Sequence, residues 1–273
     1  ATFITHTAED LEDGMRLTAL TVFDVGAFGG IGPVKDRFEL ASNRAATFAG
    51  QNGLGFRSLS SNIELLYRSI ESYGPTGFVK TNSLRNLAAA LVFESSMESY
   101  LLSSGMDYSG LGYGPAKDVA DLDPVLVDLL STERMKFVSA CAGISRLEKI
   151  EMLKDNYLAQ RMLDVCISGP EVRRRSSKQN CSYCLKCART ILTLDVMGRL
   201  ENFSEVFDLE FYHANRKRIW RTVSEQAARS KNAEDAVKFA RQRGFDIPRR
   251  PGPIYKAARR AKHSILKKFE HVG

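Results

Sequence analysis

The chain has little of what marks a secreted or membrane-bound protein. The longest apolar run in its 273 residues extends only from residue 87 to 93, whereas a membrane-spanning helix needs about 20 apolar residues. The first residues lack the charged start and the long apolar stretch of a signal peptide. The sequence therefore predicts a cytoplasmic protein without a transmembrane segment, in which the five cysteines are thiols or metal ligands rather than disulfides.

Histidine is scarce and poorly placed for nucleophilic catalysis. There are four histidines. His6 falls in a first predicted helix over residues 1–11, and the other three fall near the carboxyl end of the chain, at His213, His263 and His271. The sequence therefore offers no histidine placed to activate a serine or cysteine nucleophile.

Positive charge is concentrated at the carboxyl end. Residues 213–273 carry 17 Lys and Arg against 5 Asp and Glu, a net charge of +12, so the preceding 212 residues carry −5 of the overall +7. Helices are predicted there over 215–228 and 233–242, with a basic amphipathic helix over 254–269. This basic extension is compatible with RNA or DNA binding, with contact to an anionic membrane surface, and with packing on an acidic neighbour.

Four of the five cysteines lie within 22 residues and form the main candidate site. They are Cys166, Cys181, Cys184 and Cys187. A C-x2-C-x2-C run brings three thiolates around one point, and a fourth completes a tetrahedron that suits Zn²⁺. Lys186, Arg189 and the basic run over 173–178 would offset the negative charge of the thiolates. An iron–sulfur cluster uses the same ligands, and buried reduced cysteines are the third interpretation.

Apolar runs and turn residues alternate in the rhythm of a parallel α/β protein. Strands are predicted over 16–28, 56–60, 99–104 and 136–142. Helices are predicted over 34–51, 63–72, 86–95, 124–130, 146–153, 156–163 and 188–197. Glycines at 26–33 and 106–123 mark loops, the second long enough to be functional. We predict an α/β fold, a doubly wound, Rossmann-like parallel sheet over 1–205 with a four-cysteine zinc knot, followed by a helical basic extension over 206–273.

Three short blocks follow one another along this predicted domain. The first is Arg85-Asn86, followed by a strand that ends in Ser104-Gly105, and the second is Asp107-Tyr108-Ser109-Gly110. The third is the four-cysteine block, followed by Arg189. In order and spacing they resemble the PP-loop ATP pyrophosphatases, which have an adenine-nucleotide α-hydrolase-like (HUP-like) fold. The resemblance is greatest to the branch that contains 7-cyano-7-deazaguanine synthase, and it covers about residues 1–205.

The resemblance implies an ATP-dependent, adenylate-forming ligase that amidates or thiolates a small molecule or a tRNA base. It implies ATP with Mg²⁺ over the carboxyl ends of a parallel sheet and a structural zinc ion. Nucleotide-binding roles follow for Asp24, Gly26, Asn82, Arg85, Asn86, Ser104 and Gly105. Catalytic roles follow for Asp107, Arg146 and Lys149. Simpler roles stay open for three groups: a turn at Asp24, a helix cap at Asn82, and a solvated helix face at Arg146 and Lys149.

The sequence departs from the family pattern in two places, and the first departure leaves open an alternative function. The Ser-Gly-Gly-x-Asp-Ser loop that cradles pyrophosphate does not occur, and residues 1–6 resemble the helix that follows it. We therefore expect that loop upstream of residue 1, replaced by another segment, or lost from a non-catalytic, zinc-stabilised module that binds nucleotides or nucleic acid. Leu111-Gly112-Tyr113 also stands where the synthase has Tyr-Pro-Asp, so a different substrate is expected. The sequence leaves both a monomer and an oligomer open.

Overall fold

The computed structural model describes residues 16–28, 35–70, 77–112, 118–166 and 178–248, together with Thr2 and His6. The chain divides into two compact units, Ala1–Lys149 and Ile150–Gly273. Several predicted segments lie outside the described residues: most of the helix over 1–11, the glycine loop over 29–33, the basic residues 173–175, and the basic helix over 254–269.

The first unit contains two pairs of parallel strands. Strand β1 (Ala19–Asp24) pairs with β2 (Gly55–Ser60). Strand β3 (Ser99–Ser103) pairs with β4 (Lys136–Ala140). All four strands lie where the sequence predicts them, and each pair is parallel as expected. The single doubly wound sheet is not shown, because among the described residues each strand is hydrogen-bonded to one neighbour only.

Five α-helices are described in this part of the chain, and the last of them continues past the boundary at Lys149. They are α1 (Lys35–Gln51), α2 (Ile63–Ser69), α3 (Phe78–Leu91), α4 (Asp123–Leu129) and α5 (Arg146–Leu153). The helix predicted over 86–95 was placed wrongly, because α3 begins eight residues earlier. Its first turns are polar, and their hydroxyls find partners: Thr81 donates to the Gly77 carbonyl at 3.2 Å, and Ser83 donates to Asp123 at 2.5 Å. These hydroxyls are therefore satisfied within or beside the helix.

Aromatic side chains connect the two strand pairs through a shared core. The Phe23 ring on β1 stacks with the Tyr100 ring on β3 at a centroid distance of 5.8 Å, and with Phe93 at 6.0 Å. Tyr100 in turn meets Phe137 on β4 edge to face at 6.3 Å. The two pairs thus bury one hydrophobic cluster, although no strand of one pair is paired through its backbone with a strand of the other among the described residues.

The second unit is helical. Its described elements are α6 (Tyr157–Met162), α7 (Leu185–Val196), α8 (Leu209–Gln226) and α9 (Lys231–Gln242), with a short 3-10 helix at Leu200–Phe203. Helix α7 is apolar on most sides, and α8 and α9 both pack against it. The domain boundary predicted between residues 205 and 206 falls inside this unit, because α8 and α9 turn apolar side chains inwards and keep most of their charges outside. Among the described helices, none is long and apolar enough to cross a bilayer.

A buried polar network fixes α8 against α7. The Tyr212 hydroxyl donates to Asp195 of α7 and accepts a hydrogen bond from the Trp220 indole N–H at 2.8 Å. Arg216 forms an ion pair with the same carboxylate at 2.8 Å. Because every buried polar group in this set has a partner, the contact joins the two helices without leaving an unsatisfied group.

Candidate functional site

The four clustered cysteines meet at one point in the second unit. Their Sγ atoms all lie within 4.8 Å of one another. The Cys184 Sγ atom lies 3.4 Å from that of Cys187 and 4.0 Å from that of Cys166, and the Cys181 and Cys187 Sγ atoms are 3.8 Å apart. Three of the side chains are buried, and Cys184 is partly exposed.

The chain between the cysteines makes a tight turn into helix α7. Ser182 adopts a left-handed backbone conformation, with φ of +62°. This reverses the chain so that the Cys184 N–H donates to the Cys181 Sγ atom at 3.2 Å. Cys184 caps α7, and Cys187 lies in its first turn. The positive end of the helix dipole therefore faces the sulfur atoms and favours their thiolate form.

Asn180 joins the segments that carry the cysteines, and sequence reasoning assigned it no role. Its side chain is fully buried. The amide nitrogen donates to the Leu163 carbonyl at 2.7 Å and to the Val206 carbonyl at 3.1 Å, while the amide oxygen accepts from the Val165 N–H at 2.9 Å. Cys166 is thereby held beside Cys181. The one sequence signal was an amide directly before the first cysteine of the C-x2-C run.

The sulfur positions fit a single tetrahedral metal ion. Zn–S bonds of about 2.3 Å place the four sulfurs of a tetrahedron about 3.8 Å apart, which agrees with the separations of 3.4, 3.8 and 4.0 Å. Without a cation, hydrogen bonds with Cys166 and Cys184, followed by burial, raise the pKa of the Cys187 thiol. A cation reverses that preference by stabilising the thiolates. These four cysteines can hold a metal ion and are compatible with zinc.

A second polar group lies at the carboxyl ends of β3 and β4. Helix α5 directs Arg146 and Lys149, which are one turn apart, towards the residues that follow β3. The Lys149 Nζ atom donates to the Ser104 carbonyl at 3.0 Å, and the Arg146 Nη2 atom donates to the Gly105 carbonyl at 3.3 Å. Four residues that the sequence proposed separately are thus brought together.

The two cations have no carboxylate within ion-pair distance in the described part of the chain. Lys149 is only 9% exposed, and the Arg146 Nε atom is buried without a hydrogen-bond partner among the described residues. Burial lowers the pKa of both groups, and the nearby Arg146 lowers that of Lys149 further. Nearby Cys141 and Asp107 act in the opposite direction on the pKa of Lys149. Two adjacent cations whose described hydrogen bonds go to carbonyl oxygens form an arrangement that a bound anion would stabilise.

Asp107 lies close to this pair but is held by its own loop. It is buried, accepts a hydrogen bond from the Ser109 N–H at 2.9 Å and another from the Ser109 hydroxyl, and so caps the short 3-10 turn Tyr108–Gly110. The Tyr108 N–H donates to the Ala142 carbonyl at 3.0 Å, which ties the turn to the end of β4. The Asp-Tyr-Ser-Gly block therefore forms a capped turn, and a catalytic role for Asp107 stays a prediction.

Three other predicted nucleotide-binding residues meet at the end of β1. The Gly26 N–H approaches the Asp24 carboxylate at 3.4 Å, so Asp24 does take part in a turn. Arg85 is 1% exposed and contacts protein groups: the Thr81 hydroxyl at 2.7 Å, the Val25 carbonyl at 3.1 Å, and Glu64 in an ion pair. Its guanidinium therefore links α3 to β1 and α2.

Asn82 and Asn86 lie on α3 rather than at its start. The Asn82 amide donates to the Asp118 carboxylate at 2.9 Å, and the Asn86 amide donates to the Asn82 carbonyl at 2.8 Å. The helix-capping alternative for Asn82 is therefore wrong, because Gly77 occupies the cap position.

The fifth cysteine ends β4 in an unusual conformation. Cys141 has a φ of +59° and is partly buried, with the Thr2 hydroxyl 3.8 Å from its Sγ atom. It lies at the same strand ends as Lys149, apart from the four clustered cysteines.

Comparison of the chain with protein-family models finds no match. Comparison with curated proteins and with solved structures likewise finds none.

Proposed function

We propose that the chain is an ATP-dependent, adenylate-forming enzyme of the PP-loop type. It would bind ATP with Mg²⁺ and activate a small molecule or a tRNA base for amidation or thiolation. The observation that supports this proposal is the pair of buried cations, Arg146 and Lys149, at the carboxyl ends of two parallel strands. These strand ends are where open α/β sheets bind nucleotides.

An anion held here would meet two positive charges in a partly desolvated place. Electrostatic attraction is stronger there than in water, and the Arg146 Nε atom is a donor still available in the described structure. Phosphate and carboxylate both match the guanidinium geometry. The contribution of Arg146 and Lys149 would be to bind and orient a phosphate or a substrate carboxylate during adenylate transfer.

We propose Zn²⁺ as the ion of the four-cysteine centre. The close Sγ atoms favour one ion over an iron–sulfur cluster, because the four cysteines of a cluster ligate two or four different irons and their sulfurs therefore lie farther apart. Four thiolates leave no open position for water or substrate. The ion would accordingly stabilise the second unit and take no part in the reaction.

The test is calorimetric binding of MgATP to the full chain, with a matched pair of lysine variants. Lys149→Met should weaken binding at least about tenfold, because it removes a charged hydrogen-bond donor worth about 1.5–3 kcal/mol. Lys136→Met is the control, since Lys136 is exposed at the start of β4. ATP-dependent release of pyrophosphate should fall in the same order. A chain that binds no MgATP, or two variants with equal losses, would contradict the proposal.

The second candidate is a non-catalytic, zinc-stabilised module that binds nucleic acid. It is favoured by Lys217, Arg218 and Arg221 on α8, which are exposed and form no ion pair with any described residue. Single-stranded RNA binding should then weaken when Lys217 and Arg221 are changed to glutamate, with a smaller dependence on salt. Arg134→Glu, on the first unit, is the control. RNA binding without MgATP binding would favour this candidate over the enzyme.

A further inference from the structure

An exposed tyrosine lies on the turn between two of the clustered cysteines. Tyr183 stands between Cys181 and Cys184 in the chain and is 41% exposed. The two residues before it, Cys181 and Ser182, are buried, and Lys186, three residues after it, is exposed. Tyr183 therefore presents its ring to solvent from a turn whose preceding side chains are turned inwards.

Hydrogen bonds fix this turn against the start of helix α8. The Ser182 hydroxyl accepts from the Asp208 N–H at 2.8 Å, and Asp208 is the cap of α8. The Tyr183 ring lies against the Phe211 ring in the first turn of that helix, at a centroid distance of 6.2 Å and an interplanar angle of 59°. A ring held in place in this way loses less conformational freedom when a ligand binds.

From this ring, a stripe of side chains runs along α8. Residues three or four apart share a helix face, so this side of the helix carries Phe211, Ala214, Arg218 and Arg221 in succession. With a rise of about 1.5 Å per residue, Arg218 lies about 10 Å and Arg221 about 15 Å along the axis from Phe211. Ala214 and both arginines are exposed. Tyr183 therefore stands at one end of a stripe that continues to two cations.

The middle of this surface is positively charged. Arg218, Arg221 and the adjacent Lys217 are exposed, and none of them forms an ion pair with a described residue. The carboxylates of Glu210 and Glu225 lie in the first and last turns of the helix. The three cations are thus not neutralised by the helix that carries them, and they would attract an anionic partner.

An aromatic ring followed by spaced cations matches the chemistry of single-stranded nucleic acid. Unpaired bases stack on exposed aromatic side chains, and Lys and Arg bind the phosphates. A duplex keeps its bases stacked inside and does not offer them to a tyrosine. A membrane surface fits less well, because an interfacial helix needs an apolar exposed face, whereas α8 buries its large apolar side chains, which are Tyr212, Ile219, Trp220 and Val223.

We propose that Tyr183 is a stacking site for an unpaired base of single-stranded RNA, whose phosphates extend along α8 towards Arg218 and Arg221. The inference rests on RNA binding, the second candidate function, and adds to it a residue that contacts a base. It also gives the turn between Cys181 and Cys184 a role in binding, since the turn that closes on the sulfur atoms is the one that presents the ring.

Fluorescence anisotropy with two probes of equal charge tests the proposal on the full chain, supplied with zinc. One probe is a labelled oligoadenylate of about ten nucleotides, and the other is an abasic phosphate strand of the same length. The unmodified chain should bind the oligoadenylate at least about fivefold more tightly, since each stacked base adds to the affinity. Tyr183→Ala should abolish this preference without changing the dependence on salt, because no phosphate contact is lost. Tyr183→Phe should keep the preference.

Tyr157→Ala is the matched control, because Tyr157 is an exposed tyrosine on α6 of the same unit. It should bind both probes as the unmodified chain does. A preference that survives in Tyr183→Ala, or that the unmodified chain does not show, would overturn the inference. If changing Lys217 and Arg221 weakens binding while Tyr183→Ala keeps the preference, only the stacking site fails. A chain that binds neither probe would overturn the second candidate function as well.

A second measurement does not depend on the alanine variant. In Tyr183→Trp, the fluorescence of the new indole should be quenched by the oligoadenylate and not by the abasic strand, while the buried Trp220 gives a constant background. Equal fluorescence with and without saturating oligoadenylate would contradict stacking. A change in oligomeric state of Tyr183→Ala in sedimentation, with the probe preference intact, would identify a contact between copies and overturn the proposal.

Discussion

Replacing Cys184 by serine should weaken metal binding without disturbing the packing around the centre. Cys184 is the partly exposed member of the four, and serine has nearly the same shape. Its Sγ atom lies 3.4 Å from that of Cys187 and 4.0 Å from that of Cys166. The substitution therefore removes a ligand and creates almost no cavity, so a large effect reports the metal.

The size of the effect follows from the number of ligands. Structural Zn²⁺ contributes about 10–16 kcal/mol at neutral pH, so each of four thiolates accounts for roughly 2.5–4 kcal/mol. The variant should bind zinc about one hundred to one thousand times more weakly. Complete removal of the metal costs about as much as the whole 5–15 kcal/mol that stabilises a typical domain. The second unit should therefore unfold when chelated.

Trp220 provides the signal for this experiment. It is the only tryptophan in the chain, it is 8% exposed, and it belongs to the same hydrophobic cluster as Cys181 and Cys187. Its fluorescence should shift to the red as a chelator of graded strength removes zinc. The shift should occur at a much lower chelator concentration in the Cys184→Ser chain.

Cys141→Ser is the matched control, because Cys141 lies outside the four-cysteine cluster. It should keep one zinc per chain and the chelator midpoint of the unmodified protein. The reasoning fails if Cys184→Ser retains the same midpoint, or if the metal-free protein keeps a buried, cooperatively unfolding Trp220. Metal content is measured by elemental analysis on the same samples.

Three further substitutions test the scaffold by urea denaturation. Gly26→Ala should lower the free energy of unfolding by about 1–3 kcal/mol, because φ is +106° and the added Cβ would lie 2.7 Å from atoms of Arg85 and Glu64. A change near zero would contradict this. The control is Gly50→Ala, whose added Cβ meets no atom within 4 Å. Asn180→Ala should cost about 2–4 kcal/mol, because it leaves buried backbone groups unpaired, and an unchanged unfolding midpoint would refute it. Burial raises the pKa of Asp123, so ionisation of this carboxyl lowers the free energy of unfolding as the pH rises above the ordinary carboxyl pKa. Asp123→Asn should therefore stabilise the chain at pH 7 and have little effect at pH 3. Equal effects at both pH values would count against this prediction.

The four-cysteine cluster was predictable because its members are close in sequence. Three cysteines two residues apart must meet in any tight turn, and Cys166 needs only one more contact to join them. What the sequence did not reveal was Asn180, which makes that contact. Its partners are main-chain groups of Leu163, Val165 and Val206. Every residue carries such groups, so the sequence does not indicate which of them Asn180 binds.

The first unit shows where local patterns are insufficient. Apolar runs located all four strands, but pairing depends on contacts between distant residues. Arg85 is an example. A motif predicted that it binds the nucleotide, and in the structure its guanidinium donates a hydrogen bond to the carboxylate of Glu64, 21 residues earlier. Helix α8 begins at Leu209, six residues before the predicted start, because Asp208 caps it by accepting a hydrogen bond from the Phe211 N–H at 2.9 Å. A single aspartate among loop-like residues was too weak a signal.

The clamp made by Asn180 has a consequence for variation in chain length. The Asn180 side chain is hydrogen-bonded to the Val165 N–H. It therefore holds together the two ends of the connection between Cys166 and Lys178. Doubling such a connection costs only about 0.6 kcal/mol of closure entropy. Lengthening the chain between Cys166 and Lys178 should therefore cost little in closure entropy, whereas a single residue added between Cys181 and Cys184 should abolish the turn that closes on the sulfur atoms.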